Sequence, residues 1–176
     1  MPGHSLLECI NKRRSIRKYT EEPVEYATVL KLIETGIMAP SGSNIQPWIF
    51  LVVDDPEMLK MLISFSPGIS GNPPCLLVLC SDQELAAIKG GNLGSEYLAL
   101  MDICMAAENI MLAATDFDLG TCAVRSFEPS IVQRILMLPE RIQPEIIISI
   151  GRSSMDVVAP RRRPLEEVVY HNTWRS

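Results

Sequence analysis

The sequence contains 176 residues, of which 47% are hydrophobic and 21% charged. A globular chain of this size buries roughly two thirds of the surface of its unfolded form, which argues for one folded domain over residues 1–176 and against disorder. The 16 basic and 21 acidic residues give a net charge of −5, and this acidic balance argues against general nucleic-acid binding.

Helix and strand signals alternate in the first half of the chain. Ser5 and Glu8 have the spacing of a capping box, which predicts the start of a short helix. Apolar residues three and four apart predict an amphipathic helix, and Pro40 and Gly42 then predict a loop. The predicted elements are helices over residues 5–14 and 25–38, a buried strand over residues 48–53, and a helix from residue 54.

The second half of the chain continues this alternation around one long helix. Residues 95–117 are apolar on nearly all sides of a helix, except for Asp102, Asn109 and Asp116, which lie seven apart and form one polar seam. Gly120 is expected to end this helix in the left-handed conformation. The other predicted elements are strands over residues 76–80, 121–124 and 145–151, helices from residue 81 and over residues 128–136, and a glycine turn over residues 90–94. Short strands mixed with helices predict a three-layer α+β or α/β domain, between which the pattern alone does not choose.

Cysteine and histidine counts exclude several kinds of site. The five cysteines form no C-x-x-C pair and lie mostly in apolar runs, as buried thiols of a reducing compartment do. The two histidines, His4 and His171, lie near the chain ends, which argues against Ser-His hydrolases and metal sites. We expect a cytoplasmic protein without a metal or a membrane span, because the most apolar long segment, residues 97–114, contains three polar residues and no secretion signal is evident.

Half of the basic residues fall in two short clusters. Guanidinium groups match the geometry of phosphate oxygens, and Ser15 adds a hydroxyl, so the clusters suggest an anion site. The alternative is that Arg13 and Arg14 complement the negative end of the first helix while the later arginines are solvated. The clusters are Lys12, Arg13, Arg14, Arg17 and Lys18, and Arg161, Arg162 and Arg163.

A second candidate site is the polar loop, defined as residues 39–48, which lies between a predicted helix and a predicted strand. Its sequence, A-P-S-G-S-N-I-Q-P-W, supplies hydroxyl and amide groups without charge. Such groups can bind a ribityl chain or a heteroaromatic ring edge. A loop made only of turn formers is the alternative.

Five segments together identify a resemblance to the nitroreductase family of flavin enzymes. Residues 13–19, R-R-S-I-R-K-Y, and the polar loop carry most of it. The long helix before the L-G-T-C sequence of residues 119–122, the strand that ends at Gly151, and the P-L-E-E-V ending of residues 164–168 agree in order. The resemblance covers nearly the whole chain.

This resemblance implies an α+β sandwich with a central, mostly antiparallel sheet, built as an intertwined homodimer. Residues 160–176 would then be a C-terminal extension onto the partner subunit. It also implies two FMN molecules at the dimer interface, NADH or NADPH as electron donor, and a small acceptor such as a nitroaromatic or a quinone, reduced by a ping-pong mechanism. The flavin then performs the chemistry, so that no catalytic side chain is required.

The resemblance also assigns cofactor-binding residues. Arginines of both basic clusters, with Ser15, would hold the phosphate and ribityl chain. The polar loop would contact the isoalloxazine ring and the ribityl group from the partner subunit. Residues 122–125 would cover another part of the ring through backbone groups. The implied cofactor-binding residues are Arg13, Arg14, Ser15, Arg17, Pro40, Ser41, Ser43, Asn44, Gln46, Cys122, Ala123, Val124, Arg161 and Arg163.

One position departs from the family pattern. After the L-G-T-C sequence, family members often have an aromatic residue and then a glycine, whereas this chain has Ala123, Val124 and Arg125. We expect Arg125 to favour an anionic acceptor or the 2′-phosphate of NADPH; a solvated Arg125 is the alternative. A flavin-binding storage or sensor protein without reductase turnover, and a helix-rich interaction module, are the alternative functions.

Overall fold

A four-stranded sheet lies at the centre of the structure, a computed structural model that describes residues 3–174. The strands are β1 (Trp48–Val53), β2 (Cys75–Asp82), β3 (Gly120–Val124) and β4 (Ile142–Gly151). Their order is β1-β2-β4-β3, and every neighbouring pair is antiparallel. The two central strands, β2 and β4, are buried along almost their whole length. Because successive side chains alternate between the two faces of a sheet, apolar side chains of other elements must cover both faces of these strands.

Helices supply that cover on both faces. The helices α2 (Tyr26–Gly36) and α5 (Ala99–Asp116) pack on one face, against Leu77, Leu79 and Ile148. The helices α3 (Pro56–Ser64) and α6 (Pro129–Ile135) pack on the other face, against Leu76 and Val78. The predicted three-layer α+β sandwich with an antiparallel sheet is therefore confirmed. The helices are α1 (Leu6–Lys12), α2 (Tyr26–Gly36), α3 (Pro56–Ser64), α4 (Gln83–Leu93), α5 (Ala99–Asp116) and α6 (Pro129–Ile135).

The polar seam of α5 connects this helix to the first part of the chain. Each of its three side chains makes a hydrogen bond to a backbone group outside the helix, so the seam holds the N-terminal segments on α5. The bonds run from the Gly42 N–H to Asp102 Oδ1 (3.0 Å), from Asn109 Nδ2 to the Thr35 carbonyl (3.3 Å), and from the His4 N–H to Asp116 Oδ1 (3.0 Å).

The prediction that Gly120 ends the long helix in the left-handed conformation is wrong. Asp118 takes that conformation instead, with φ of 56°, and Gly120 already belongs to β3. Aspartate tolerates this region better than most residues. Gly120 is needed for a different reason, since a Cβ there would lie 2.5 Å from Cγ1 of Ile16.

The predicted glycine turn over residues 90–94 is a kink within a helix. The helix α4 continues to Leu93, with a break at Gly91, whose φ is 60°. A π-helical turn, Gly94–Leu98, then joins α4 to α5. Glycines therefore bend the helix here without ending it.

The helical stretch Gln83–Asp116 is 34 residues long and apolar enough to cross a membrane by length and composition alone. Within it, α5 packs against the sheet, and Ile103 and Ile110 are fully buried in the core. Packing in the core of the domain accounts for only part of the apolar character of this stretch, because Ile88, Leu93 and Met101 are exposed.

Candidate cofactor site

The arginine turn, residues 13–17, connects α1 to the sheet. The Ile16 N–H donates to the Thr121 carbonyl at 2.8 Å, and Ser15 forms a parallel bridge with the same residue of β3. The buried Ile16 side chain lies against Gly120. The turn is therefore fixed beside the start of β3.

A cavity of about 400 Å³ opens between the arginine turn and the C-terminal tail. Among the described residues, Arg13 is the one arginine of this cavity that pairs with a carboxylate; its Nε lies 3.3 Å from Glu108 Oε1. The cavity therefore has excess positive charge, as a phosphate site requires. Its walls are formed by Arg13, Arg14, Ser15, Arg17, Val157, Val158, Pro160 and Arg162.

The tail places Arg162 in this cavity wall, and not the predicted Arg161 or Arg163. Arg163 instead pairs with Glu167 of the tail itself, with Nε 3.1 Å from Oε2, and Arg161 is exposed. Neighbouring residues of an extended chain point in different directions, so three consecutive arginines cannot all face one cavity. The assignment of Arg161 and Arg163 to an FMN phosphate stays a prediction.

Tyr19 bonds the backbone of the arginine turn at Ile16, a role that sequence reasoning missed. Its hydroxyl donates to the Ile16 carbonyl at 2.5 Å and lies 2.7 Å from Ser149 Oγ. The single proton of the Ser149 hydroxyl can be donated to Tyr19 Oη or to the Cys122 carbonyl, which lies 3.3 Å from Ser149 Oγ. Burial raises the pKa of Tyr19 far above its usual value, so the phenol stays neutral. This chain of hydrogen bonds joins the arginine turn, β4 and β3.

The polar loop has an unusual backbone. Ser43, Asn44 and Gln46 have φ of 50°, 54° and 55°, in the left-handed region that non-glycine residues rarely adopt. All three side chains are exposed, as is Pro40. Inside the loop, Gln46 Nε2 donates to Asn44 Oδ1 at 2.9 Å, and the Gln46 N–H donates to Ser41 Oγ at 3.2 Å. Such strain persists only where the surrounding structure holds it, and it is concentrated at functional sites.

Buried contacts anchor the polar loop to the helices α4 and α5. Ile45 is fully buried and packs with Ala86 and Ala99. Lys89 Nζ donates to the Ile45 carbonyl at 3.3 Å. One apolar side chain thus holds the loop on the helical layer while its polar neighbours point outward.

The end of β3 alternates in burial as a strand should. Cys122 and Val124 are buried, whereas the Ala123 side chain between them is exposed. A ligand at this edge would therefore contact Ala123 and the backbone, and the Cys122 thiol would be turned into the core. This placement fits the prediction of backbone contacts from residues 122–124.

Arg125 follows β3 and lies beside a buried acid. Its guanidinium carbon is 5.1 Å from the centre of the Phe127 ring, and its Nη2 is 3.9 Å from Glu145 Oε2. Glu145 is buried and accepts a hydrogen bond from Ser81 Oγ at 2.7 Å. Burial raises the pKa of Glu145, although the Ser81 bond and the Arg125 charge oppose this effect. Arg125 thus has two neighbours while about half of its side chain is exposed, and its role in the substrate pocket stays a prediction.

The structure brings some predicted site residues together and keeps others apart. The arginine turn contacts β3 through Thr121. Within residues 3–174, no hydrogen bond or ion pair joins the polar loop to the arginine turn. This separation is compatible with the polar loop serving a flavin bound to the partner subunit.

Comparison with known proteins establishes the family. The sequence profile of the Nitroreductase family matches residues 10–66 and 66–152. This chain belongs to the nitroreductase family. The predicted family is therefore confirmed by a match that includes the arginine turn, the polar loop and β3.

Individual relatives agree with this assignment. A Methanothermobacter thermautotrophicus protein, provisionally named NADH dehydrogenase/NAD(P)H nitroreductase, is 30% identical over 173 residues, covering 92% of this chain and 87% of that protein. The FMN reductase (NADPH) of Bacillus subtilis is 26% identical, covering 97% of this chain and 75% of its own. The crystal structure of a nitroreductase family protein from Clostridium difficile has a TM-score of 0.85 at 25% identity, covering 98% of this chain and 100% of its own. These names agree with the predicted enzyme class and cofactors.

Proposed function

We propose that this protein is a cytoplasmic, FMN-dependent oxidoreductase that takes hydride from NADH or NADPH and reduces a small acceptor, such as a nitroaromatic or a quinone, in a ping-pong cycle. Family membership and the names of its relatives support the reaction class. The observation that carries the proposal is the cavity of the arginine turn. It combines the Ser15 hydroxyl with Arg14, Arg17 and Arg162, none of which pairs with a carboxylate among residues 3–174.

The residues of this cavity would bind the anionic end of FMN. Arg13 is already neutralised in part by Glu108, so Arg14, Arg17 and Arg162 supply the excess charge. Arg14 Nη1 also donates to the Asn11 and Arg13 carbonyls at 2.7 Å, which holds its guanidinium in place. A pre-positioned planar donor loses little entropy when it binds a phosphate.

Other residues would orient the ring and exclude water. When bound, FMN supplies the two-electron chemistry between nicotinamide and acceptor. Ser41, Ser43, Asn44 and Gln46 offer hydrogen-bonding groups for its polar edge, and the backbone beside Ala123 offers a second contact. No acid, base or nucleophile of the chain is needed for this reaction.

We also propose that the protein is a homodimer with the polar loop of one subunit completing the site of the other. Large apolar side chains are exposed on α1 and just after α2, including Leu6 (66%), Leu7 (70%) and Met38 (78%). The tail beyond Arg152 is exposed along its length and includes Trp174 (77%). Leu6 and Met38 line the same groove, and exposed apolar residues grouped in this way support an interface.

A visible absorption spectrum of the purified protein tests the reaction class first. We expect two flavin bands that bleach when NADH or NADPH is added without oxygen. Flavin bands that persist would favour a binding or storage protein. Absence of flavin, with no uptake of added FMN, would contradict the proposed cofactor.

Charge variants test the phosphate assignment. We expect Arg17→Gln and Arg162→Gln each to raise the dissociation constant of FMN about tenfold, the effect of losing one charge-assisted contact. Arg134→Gln is the matched control, because Arg134 lies on α6 away from the cavity. Equal affinity in all three variants would place the phosphate elsewhere.

A further inference from the structure

Asp102 is a buried carboxylate with one hydrogen bond and no counter-ion among the described residues. Its side chain lies on α5 and is 1% exposed. Oδ1 accepts the Gly42 N–H at 3.0 Å, whereas Oδ2 is buried without a partner. Burial raises the pKa of Asp102, and the bond from Gly42 partly opposes this effect. A carboxylate in the core without a cation is unfavourable for stability, and the Gly42 N–H is the one group among the described residues that it bonds.

The hydrogen-bond partner of Asp102 begins the strained part of the polar loop. Gly42 opens the short 3-10 turn Gly42–Asn44. A Cβ on Gly42 would lie 2.8 Å from Cδ1 of Leu98, so this part of the backbone is pressed against the helical layer. Ser43 and Asn44 follow directly in the left-handed region. Asp102 therefore fixes the first peptide of a backbone that non-glycine residues do not adopt freely.

The other two members of the polar seam make contacts of a different kind. Asn109 bonds the Thr35 carbonyl of α2, and Asp116 bonds the N–H of His4. Neither of them bonds the polar loop. Asp102 is thus the seam residue directed at the loop with the exposed Ser, Asn and Gln side chains.

We propose that Asp102 is a positioning residue for the flavin, which holds residues 42–46 in the conformation that presents Ser43, Asn44 and Gln46 to the ring. This inference rests on the proposed function, since it assigns the polar loop to FMN. Asp102 itself lies in the core and does not touch the ligand. The loop geometry, and not the charge of the carboxylate, carries the effect, because the Gly42 N–H needs only an acceptor at this place.

Three variants separate this role from general stability. Asp102→Leu removes the acceptor at similar volume, and Asp102→Asn keeps an oxygen acceptor without the charge. Asn109→Leu is the matched control, because it removes a hydrogen bond of the same seam on the same helix. The readouts are the FMN dissociation constant, from quenching of flavin fluorescence, and deuterium uptake of residues 39–48 in the FMN-free protein.

We expect Asp102→Leu to raise the dissociation constant about tenfold or more and to speed deuterium uptake in the loop. Asp102→Asn should stay within about threefold of the parent protein, and Asn109→Leu within about twofold. Unchanged affinity and uptake in Asp102→Leu would overturn the inference, and so would an equal loss in Asn109→Leu. If the parent protein binds no FMN, the proposed function is wrong. Deuterium uptake then still tests whether Asp102 stabilises the conformation of the loop.

Discussion

At the residue scale, Arg125 lies between the buried Glu145 carboxylate and the solvent beyond the end of β3. Its side chain is 51% exposed, while that of Glu145 is 6% exposed. At 3.9 Å the pair is too long for a direct hydrogen bond. Arg125 therefore retains donors for a ligand, and Glu145 and Phe127 limit where the guanidinium can lie.

Replacement of Arg125 tests whether this cation selects an anionic partner. We expect Arg125→Gly to raise KM for NADPH, or for an anionic acceptor, about tenfold and to leave KM for NADH and a neutral quinone unchanged, since one charge-assisted contact is lost. Steady-state kinetics with paired donors and acceptors give the comparison. Unchanged preference for both would contradict the role of Arg125 in specificity.

The same substitution leaves Glu145 without its cation, so a second variant is needed. Loss of the arginine raises the pKa of Glu145 further and destabilises the fold. Arg125→Gly with Glu145→Gln removes the buried charge as well, because the amide can still accept from Ser81. We expect this double variant to recover melting temperature without recovering KM for the anionic partner.

At the element scale, hydrophobic pattern predicted most of the helices and strands. Apolar runs located β1 and β2, and the seam of Asp102, Asn109 and Asp116 was evident on the long helix because its period is seven. The pattern placed the beginning of β4 at Glu145, whereas the strand begins at Ile142. Pro144 within this strand hid its start, since proline gives up one hydrogen-bond donor of the ladder. A register shift opposite it, between Leu79 and Cys80, accommodates the irregularity.

The roles of glycines were harder to predict. A glycine can be required for a positive φ, or for close contact between the backbone and a neighbouring side chain. Gly120 was assigned to a positive φ, but the structure uses it for contact with Ile16. A contact between residues more than a hundred positions apart leaves no periodic signal. The same reason explains why Tyr19 and Glu145 were missed, since their partners are distant in sequence.

Substitution of Gly120 tests this contact. We expect Gly120→Ala to lower the free energy of unfolding by about 1–3 kcal/mol, because the new methyl group overlaps the branched and buried Ile16 side chain. It should also weaken FMN binding by displacing the arginine turn. Gly3→Ala is the control, since a Cβ there meets nothing within 4 Å. Equal urea midpoints for the two variants would show that the turn adapts without cost.

At the scale of the whole molecule, the candidate site includes surfaces that a single chain leaves exposed. The cluster of Arg13, Arg14 and Arg17 around the cavity could be predicted from local charge, since these residues are close in sequence. The contribution of Arg162, in place of its neighbours, depends on the direction of the tail, which no pattern specifies. The polar loop was predicted as a segment, but its strained backbone depends on burial of Ile45 and Asp102.

Removal of the tail tests how the whole molecule is completed. A chain ending at Ala159 loses Arg162 and the exposed apolar residues Leu165, Val169 and Trp174. The sheet should fold without them, because the tail adds no strand to it. We expect sedimentation velocity to show a dimer for the full chain and a largely monomeric truncated chain, with FMN affinity lowered more than about tenfold.

Arg162→Gln separates the two contributions of the tail. This variant keeps the apolar residues, so we expect a dimer of unchanged sedimentation coefficient with weakened FMN binding. If the truncated chain remains dimeric, the interface lies mainly on α1 and the segment after α2, where the exposed Leu6, Leu7 and Met38 are retained. If the full chain is monomeric at concentrations where it is saturated with FMN, the polar loop cannot act on a partner's flavin, and the site must be completed within one chain.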